Sequence, residues 1–130
     1  MICLDSTIII DFLNGRKEAI DLIEQNQDSI ATTEISVLEV FYGIYIKKAF
    51  SLDEENEARE FFNSIHVLPM KQGCGKIAAE ILAKLFKEGK IIEQNDAIII
   101  SIMLKNGIDK IITKNKKHFD RVKGIKVISY

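Results

Sequence analysis

The sequence predicts an α/β domain, a three-layer α/β/α sandwich whose central, mostly parallel sheet has about five strands. Short apolar runs alternate along the chain with longer segments in which apolar residues recur every three or four positions, the pattern of strands alternating with helices. The strand-like runs are apolar throughout, as expected for a parallel sheet that helices cover on both faces. The chain has 130 residues and no low-complexity linker, so we expect a single domain over residues 1–130.

Turn signals and apolar spacing place the elements of the first half of the chain. The run "ICL" is a short buried strand, and the apolar helix after it stops at Asn14-Gly15, a common helix end. The next helices carry apolar residues at helical spacing, and the runs "SIAT" and "IHVLP" are strands, the second closed by Pro69. The predicted elements are a strand over residues 2–4, helices over 6–13 and 17–25, a strand over 29–32, helices over 34–50 and 52–63, and a strand over 65–69.

The second half of the chain follows the same alternation. Residues 72–87 are amphipathic and stop at Gly89, whereas the segment "AIIISIMLK" is apolar almost all round, which is typical of a helix covered on most sides. The runs "KIIT" and "IKVIS" are strands with a short helix between them. The predicted elements are helices over residues 72–87 and 97–105, a strand over 110–113, a helix over 116–122 and a strand over 125–129.

Charge and cysteine content exclude several classes of protein. The formal net charge is −1, which excludes a uniformly basic surface, so any binding of nucleic acid must be local. Cys3 and Cys74 are too few for a disulfide framework and too far apart for a zinc knuckle, which favours small buried side chains in a reducing cytoplasm. The sequence shows neither a signal-peptide pattern nor an apolar run of membrane-spanning length, so we expect a cytoplasmic protein without a membrane partner.

Three acidic residues stand where a lone negative charge is costly. Asp5 follows the first strand, Glu39 lies on an otherwise apolar helix face, and Asp96 stands at the start of the most apolar helix. Sites of such folds form at the carboxyl ends of the strands, where Asp5 and Thr113 both fall. Carboxylates that converge there need a cation to hold them. Asp11 instead shares a helix side with polar residues and is expected to be solvated.

Helix capping explains some of these acids equally well. Asp5 or Ser6 would cap the first helix, and Asn95 or Asp96 the helix over residues 97–105, because such side chains accept hydrogen bonds from free backbone N–H groups. Glu39 taken alone would be explained by pairing with a lysine. Both explanations are open at this stage.

Four segments in order carry a resemblance to a known family. They are "LDSTIIIDFL", "SVLEVFYGI" with Glu39 and Gly43, "NDAIIISIML" with Asp96, and "IITKNKKHF" with Thr113, Asn115 and Phe119. Each segment alone is weakly specific, but the ordered set resembles the PIN-domain ribonucleases, and especially the small VapC-type toxins of prokaryotic toxin and antitoxin pairs. The resemblance covers nearly the whole chain.

The resemblance implies a metal-binding catalytic site. Asp5, Glu39 and Asp96 would be the metal-binding carboxylates, and Thr113 and Ser6 would hold the ligands through hydrogen bonds. The family often has a further acid after the fourth strand, but Asn115 and His118 occupy those positions here. Asn115 offers only a neutral oxygen, and His118 is a poor magnesium ligand, so the second metal position departs from the family pattern.

The implied reaction is hydrolysis of RNA phosphodiesters with Mg²⁺ or Mn²⁺, leaving a 5′-phosphate and a 3′-hydroxyl. All-oxygen ligands suit these hard ions. An acidic pocket repels RNA, so we expect basic residues next to it to hold the phosphate backbone. The predicted contacts lie in the segment "KNKKHFDRVKGIK", for which a solvated helix face is an equally good explanation: Lys114, Lys116, Lys117 and Arg121.

The resemblance also implies two protein partners, a cognate antitoxin whose basic side chains enter the acidic pocket and a second copy of the chain in a homodimer. The apolar third and fourth helices would supply the dimer surface, although a deeper core explains them equally well. A phosphoacceptor receiver domain is excluded because "IHVLPMKQG" lacks the required aspartate. The remaining alternative is a catalytically weak or inactive PIN-like module that binds RNA or protein.

Overall fold

The architecture comes from a computed structural model that describes residues 1–130. The strands are β1 (Ile2–Leu4), β2 (Ile30–Thr33), β3 (His66–Leu68), β4 (Lys110–Ile112) and β5 (Lys126–Ile128). The helices are α1 (Ser6–Leu13), α2 (Lys17–Gln25), α3 (Glu34–Tyr45), α4 (Leu52–Asn63), α5 (Cys74–Lys87), α6 (Gln94–Lys105) and α7 (Lys116–Phe119).

All five strands are parallel and lie in the order β3-β2-β1-β4-β5. The central strand β1 pairs on one side with β2, where Cys3 lies opposite Ala31, and on the other with β4, where Cys3 lies opposite Ile111. The chain builds one half of the sheet through β3 and then crosses to the other side of β1. The carboxyl ends of β1 and β4 therefore flank the switch point of the sheet, where open α/β sheets place their binding sites.

Two apolar layers sandwich the sheet. Successive strand residues point to opposite faces, so Cys3 packs with α5, α6 and α7, whereas Leu4 packs with α1 to α4. Ile111 and Ile112 divide between the same two layers. The predicted three-layer α/β/α fold is confirmed.

Four helix boundaries differ from the predictions. The helix predicted over residues 72–87 begins at Cys74. The predicted helix over residues 34–50 ends at Tyr45, because the chain must turn before Ser51, whose hydroxyl accepts the Glu54 N–H at 3.3 Å and begins α4. The helix predicted to begin at residue 97 begins at Gln94. The last helix ends at Phe119, not at residue 122.

The two cysteines are buried, free thiols, as the sequence predicted. Burial, with the negative charge of Asp5 as a second cause, raises the pKa of the Cys3 thiol. None of the helices is long and apolar enough to cross a membrane.

Candidate active site

The site begins at Asp5, the residue that joins β1 to α1. Its backbone N–H donates to the Ile112 carbonyl at 3.3 Å, which continues the pairing of β1 with β4. Its carboxylate is the N-cap of α1: Oδ1 accepts the Thr7 N–H at 3.1 Å and the Ile8 N–H at 3.4 Å. The capping explanation is therefore correct for Asp5, and it fixes the carboxylate at the sheet edge.

Two hydroxyl groups hold the carboxylate oxygens of Asp5. The Thr7 hydroxyl donates to Oδ1 at 2.6 Å, and the Thr113 hydroxyl donates to Oδ2. Burial raises the pKa of Asp5 above its ordinary value, although these hydrogen bonds act in the opposite direction. A carboxylate that is 4% exposed and has no cationic partner is a natural place for a metal ion.

Asp96 lies in the first turn of α6 and is not its cap. The N-cap position belongs to Glu93, and no side chain caps this helix. Asp96 is 7% exposed, and its Oδ2 lies 2.9 Å from His118 Nδ1 and 3.4 Å from Asn115 Nδ2. Burial raises the pKa of Asp96, against the opposing effect of His118.

Glu39 projects from α3 and is half-buried. Its pKa is raised, first by burial and then by the negative charges of Asp96 and Asp5, while a hydrogen bond with Ser6 acts in the opposite direction. The charges of Asp96 and Asp5 therefore both act on Glu39. An open groove at Glu39 is lined by Ser6, Ile10, Leu38, Glu39, Tyr42 and Asn95.

The structure does not arrange the three predicted acids as a closed ligand set. No group of three or more His, Cys, Asp or Glu side chains is placed to hold a metal ion as the chain stands. At the two most buried acids, Thr7 and Thr113 donate to the oxygens of Asp5, and His118 contacts an oxygen of Asp96. The chemistry of the donors nevertheless fits a hard divalent ion, because all three are carboxylates with raised pKa values and no lysine or arginine neutralises them.

Asn115 and His118 stand beside Asp96, where the fourth acid of the family pattern would be. The Asn115 amide nitrogen lies 2.8 Å from His118 Nδ1, so both side chains meet the same carboxylate oxygen. A half rotation of the Asn115 amide exchanges its nitrogen and oxygen, which turns a neutral oxygen toward the acids. The Asn115 N–H donates to the Thr113 hydroxyl at 2.8 Å and ties this pair to Asp5.

The four side chains predicted to contact RNA differ in whether they already have a partner within the protein. Lys117 makes no ion pair or side-chain hydrogen bond, and Lys116 only approaches Asp120, at 4.0 Å. Arg121 donates to the Ile91 carbonyl. Lys114 is engaged with Asp11, with 2.6 Å between Nζ and Oδ2.

The expectation that Asp11 is solvated is wrong. Its side chain is only 12% exposed and meets Lys114, Arg16 and the Tyr130 hydroxyl. Burial opposes ionisation, but the contacts with Lys114 and Tyr130 outweigh it and lower the pKa of Asp11. Asp11 does lie on a polar side of α1, but two of its partners, Lys114 and Tyr130, come from the distant C-terminal part of the chain.

Two further groove residues escaped the sequence analysis. Tyr42 is 63% exposed and lines the groove next to Glu39. Asn95 was considered only as a helix cap, yet it lines the same groove. Tyr45, on the same helix, packs its ring 5.9 Å from that of Phe41 and leaves half its surface in solvent. The position of Tyr42 one helical turn from Glu39 was the available signal.

The family follows from a comparison with known domains. A PIN domain model matches residues 2–125. The chain belongs to the PIN domain family. The order of the four segments along the chain agrees with that membership. No curated protein matches the sequence of this PIN domain.

Solved structures share the PIN domain fold at low sequence identity. A chain of the VapBC2 complex from Rickettsia felis, bound to a DNA fragment from its promoter, is 22% identical with a TM-score of 0.88, covering 100% of this chain and 99% of that one. A chain of DNA-bound VapBC from Salmonella typhimurium is 20% identical with a TM-score of 0.86, covering 98% and 96%. VapC20 of Mycobacterium tuberculosis, a sarcin-ricin loop cleaving toxin, is 14% identical with a TM-score of 0.65, covering 85% and 87%.

Proposed function

We propose that this PIN domain is a metal-dependent endoribonuclease and the toxin component of a type II toxin and antitoxin pair. The observation that carries the proposal is a chain of contacts between two buried acids: Thr113 donates to Asp5, the Asn115 N–H donates to the Thr113 hydroxyl at 2.8 Å, and the Asn115 amide lies 3.4 Å from Asp96. The charges of both acids also raise the pKa of Glu39. Two of the solved structures with this fold are VapBC complexes, and another is a toxin that cleaves the sarcin-ricin loop. Both facts favour a nuclease of this class.

Asp5, Glu39 and Asp96 would hold a Mg²⁺ or Mn²⁺ ion, and Asn115 would add a neutral oxygen after rotation of its amide. When bound, such an ion lowers the pKa of water and neutralises charge on a phosphodiester. The chain's own contribution is to fix the acids: Thr113 donates to Asp5, and His118 contacts Asp96. Burial keeps bulk water away from Asp5, so its charge acts at a low effective dielectric.

The RNA would enter along the groove between α1, α3 and the start of α6. Lys116 and Lys117 begin α7 directly after Asn115, the N-cap residue of that helix, and would contact phosphates. Tyr42 presents an exposed ring at the groove and would stack on a base. Single-stranded or looped RNA suits such a groove because its bases are free to stack.

The first test is RNA cleavage by the wild type, Asp5→Asn and Asp96→Asn with Mg²⁺, with Mn²⁺ and with chelator. We expect both variants to lose at least about 100-fold in rate, since each removes a charged ligand, and chelator to abolish cleavage. Asp21→Asn, a change at an exposed acid on α2, is the matched control and is expected to cleave normally. Equal cleavage by all four proteins, or cleavage in chelator, would exclude the proposed mechanism.

The second candidate function is an inactive PIN module that binds RNA or protein. It is favoured by one observation, namely that Asn115 and His118 stand beside Asp96 where the family pattern has another acid. The same assay separates the candidates, because the module would bind RNA without metal-dependent cleavage.

We also propose that α3 docks protein partners. Apart from Tyr42 at the RNA groove, its exposed side and C-cap carry large apolar residues that are more than half exposed: Leu38, Tyr45 and Ile46. Beside it, a groove of about 170 Å³ between α1, α3 and α4 is lined by Ile10, Val40 and Ile44, with Lys47 and Glu54 at its rim. Exposed apolar surface of this kind marks an interaction site, which suits a second copy of the chain and an antitoxin.

Light scattering tests the dimer part of this proposal. We expect the wild type to dimerise and Leu38→Glu with Ile46→Glu to remain monomeric, because two carboxylates would be buried at the interface. A monomeric wild type at high protein concentration would contradict the homodimer.

A further inference from the structure

We propose that Asp11, Lys114 and Tyr130, here called the C-terminal clasp, form a positioning unit that holds the carboxylate of Asp5. This inference rests on the proposed function only for its metal readout. The three residues come from α1, from the residues after β4, and from the end of the chain after β5. They meet at one carboxylate oxygen, Asp11 Oδ2.

The contacts of the clasp are short and mutually consistent. Lys114 Nζ lies 2.6 Å from Asp11 Oδ2, and the Tyr130 hydroxyl donates to the same oxygen at 2.7 Å. The ammonium group of Lys114 lies 5.6 Å from the centre of the Tyr130 ring, within the range of a cation–π contact. Arg16 approaches the same carboxylate at 3.6 Å and adds a second positive charge. The clasp therefore satisfies a nearly buried acid and immobilises the Lys114 side chain.

Lys114 connects the clasp to Asp5, because its side chain contacts Asp11 while its backbone N–H is hydrogen-bonded toward Asp5. The Lys114 backbone N–H donates to the Thr7 hydroxyl at 3.0 Å. A hydroxyl has one proton, and because it accepts from Lys114, that proton is free to go to Asp5 Oδ1, 2.6 Å away. The preceding residue, Thr113, donates to the other oxygen of Asp5. Residues 113 and 114 thus orient both oxygens of the acid.

The side chain of Lys114 fixes the backbone that makes these bonds. Residues 113–115 leave β4 as an irregular segment before α7, so strand pairing does not hold them beyond Thr113. Anchoring Lys114 to Asp11 ties this segment to α1, the helix that Asp5 caps. The clasp and the cap then act on the same carboxylate from two sides.

This role differs from the one predicted for Lys114 from the sequence. A lysine whose ammonium group is bound by a carboxylate and lies against an aromatic ring must give up those contacts to reach a phosphate. Lys116 and Lys117 have no comparable partner. We therefore assign Lys114 to positioning, which leaves the free lysines of α7 for RNA.

The test compares Asp11→Asn, Tyr130→Phe, Lys114→Met and Lys114→Arg with the wild type in metal-free protein and with Mn²⁺. Amide hydrogen exchange at Lys114 reports on the clasp without metal, and calorimetric titration with Mn²⁺ reports on Asp5. We expect Asp11→Asn and Lys114→Met to speed exchange at Lys114 by roughly 10-fold or more and to weaken Mn²⁺ binding roughly 10- to 100-fold. Lys114→Arg keeps the charge and is expected to show the exchange rate at position 114 and the Mn²⁺ affinity of the wild type. Tyr130→Phe keeps the ring and is expected to show a smaller effect in the same direction.

Three outcomes would decide the matter. Unchanged exchange at Lys114 in Asp11→Asn and Tyr130→Phe would overturn the clasp, and Tyr130→Phe keeps the test valid if a stronger variant does not fold. Faster exchange with unchanged Mn²⁺ affinity would overturn its action on Asp5. A wild type that binds no Mn²⁺ would refute the proposed metal site instead, and exchange at the Thr7 and Lys114 amides would then decide whether the clasp holds the Asp5 segment.

Discussion

Asp5 combines two tasks that usually belong to different residues. As the cap of α1 it satisfies backbone N–H groups, and as a buried acid beside Thr113 it keeps an unneutralised carboxylate at the switch point. The sequence alone could not choose between capping and ligand binding because the two are compatible. The capping contacts hold the Asp5 carboxylate at the place where the proposed metal ion would bind.

The acids also show which residue-scale features were predictable. Glu39 stood out because helical periodicity placed it on an apolar face, and that signal is local. Asp11 was misjudged because its partner Tyr130 lies 119 positions away in the sequence, and no local pattern reports such a contact. Ion pairs between distant segments are the part of the site that a single sequence does not reveal.

The lowered pKa of Asp11 predicts a pH-dependent contribution to stability. A carboxylate whose pKa is lower in the folded state stabilises the fold above its unfolded pKa, about 3.9, and loses this effect as the pH falls through the folded value. Asp11→Asn should therefore lower the free energy of unfolding at neutral pH by roughly 1–3 kcal/mol, with a difference that shrinks in acid. Urea unfolding at several pH values measures this.

Asp21→Asn controls for the chemical change at an exposed helix position. A stability difference for Asp11→Asn that is constant from neutral pH down to pH about 2 would show that the charge of Asp11 does not contribute.

At the scale of elements, α7 links the acids to the expected RNA path. It is one turn long, carries Lys116 and Lys117 on its surface, and is anchored by the fully buried Phe119. Its position after β4 was predictable from the run "KIIT", but its end was not. Residues 120–124 are not helical, and Gly124 adopts a φ of +91°, which ends the segment before β5.

Changing Lys116 and Lys117 together to Ala should weaken RNA binding and lower the salt dependence of its affinity. Each phosphate contact on a single strand contributes about 0.7 to the slope of log K against log salt, so the loss of two contacts lowers the slope by roughly 1.4. Fluorescence anisotropy with a catalytically inactive background, Asp96→Asn, measures both quantities without cleavage.

Lys84→Ala with Lys87→Ala in the last turn of α5 is the matched control, since both lysines are exposed and distant from α7 in the sequence. An equal loss of affinity in the control pair would mean that only net charge matters. Unchanged affinity in the α7 pair would remove that helix from the RNA path.

The whole molecule places its chemistry where the sheet topology requires it. Fold class, strand number and the division into two helical layers were predictable, because buried parallel strands and amphipathic helices leave strong periodic signals. The strand order was not predictable in this way, since the pairing between β1 and β4 joins segments that lie far apart in the sequence. That pairing brings Thr113 to Asp5 and creates the site.

The proposal depends on the repulsion of Glu39 by Asp5 and Asp96, which a bound divalent ion would relieve. The most direct measurement is the melting temperature of the wild type and Glu39→Gln in chelator and in Mn²⁺. The pKa of Glu39 is raised by burial and by the other two acids, so its ionised form destabilises the fold. In chelator we therefore expect Glu39→Gln to melt at a higher temperature than the wild type. In Mn²⁺ we expect the wild type to melt at the higher temperature, because it gains more stability from the bound ion. The prediction would be contradicted if, in chelator, the wild type melted at a higher temperature than Glu39→Gln and Mn²⁺ did not raise the melting temperature of the wild type.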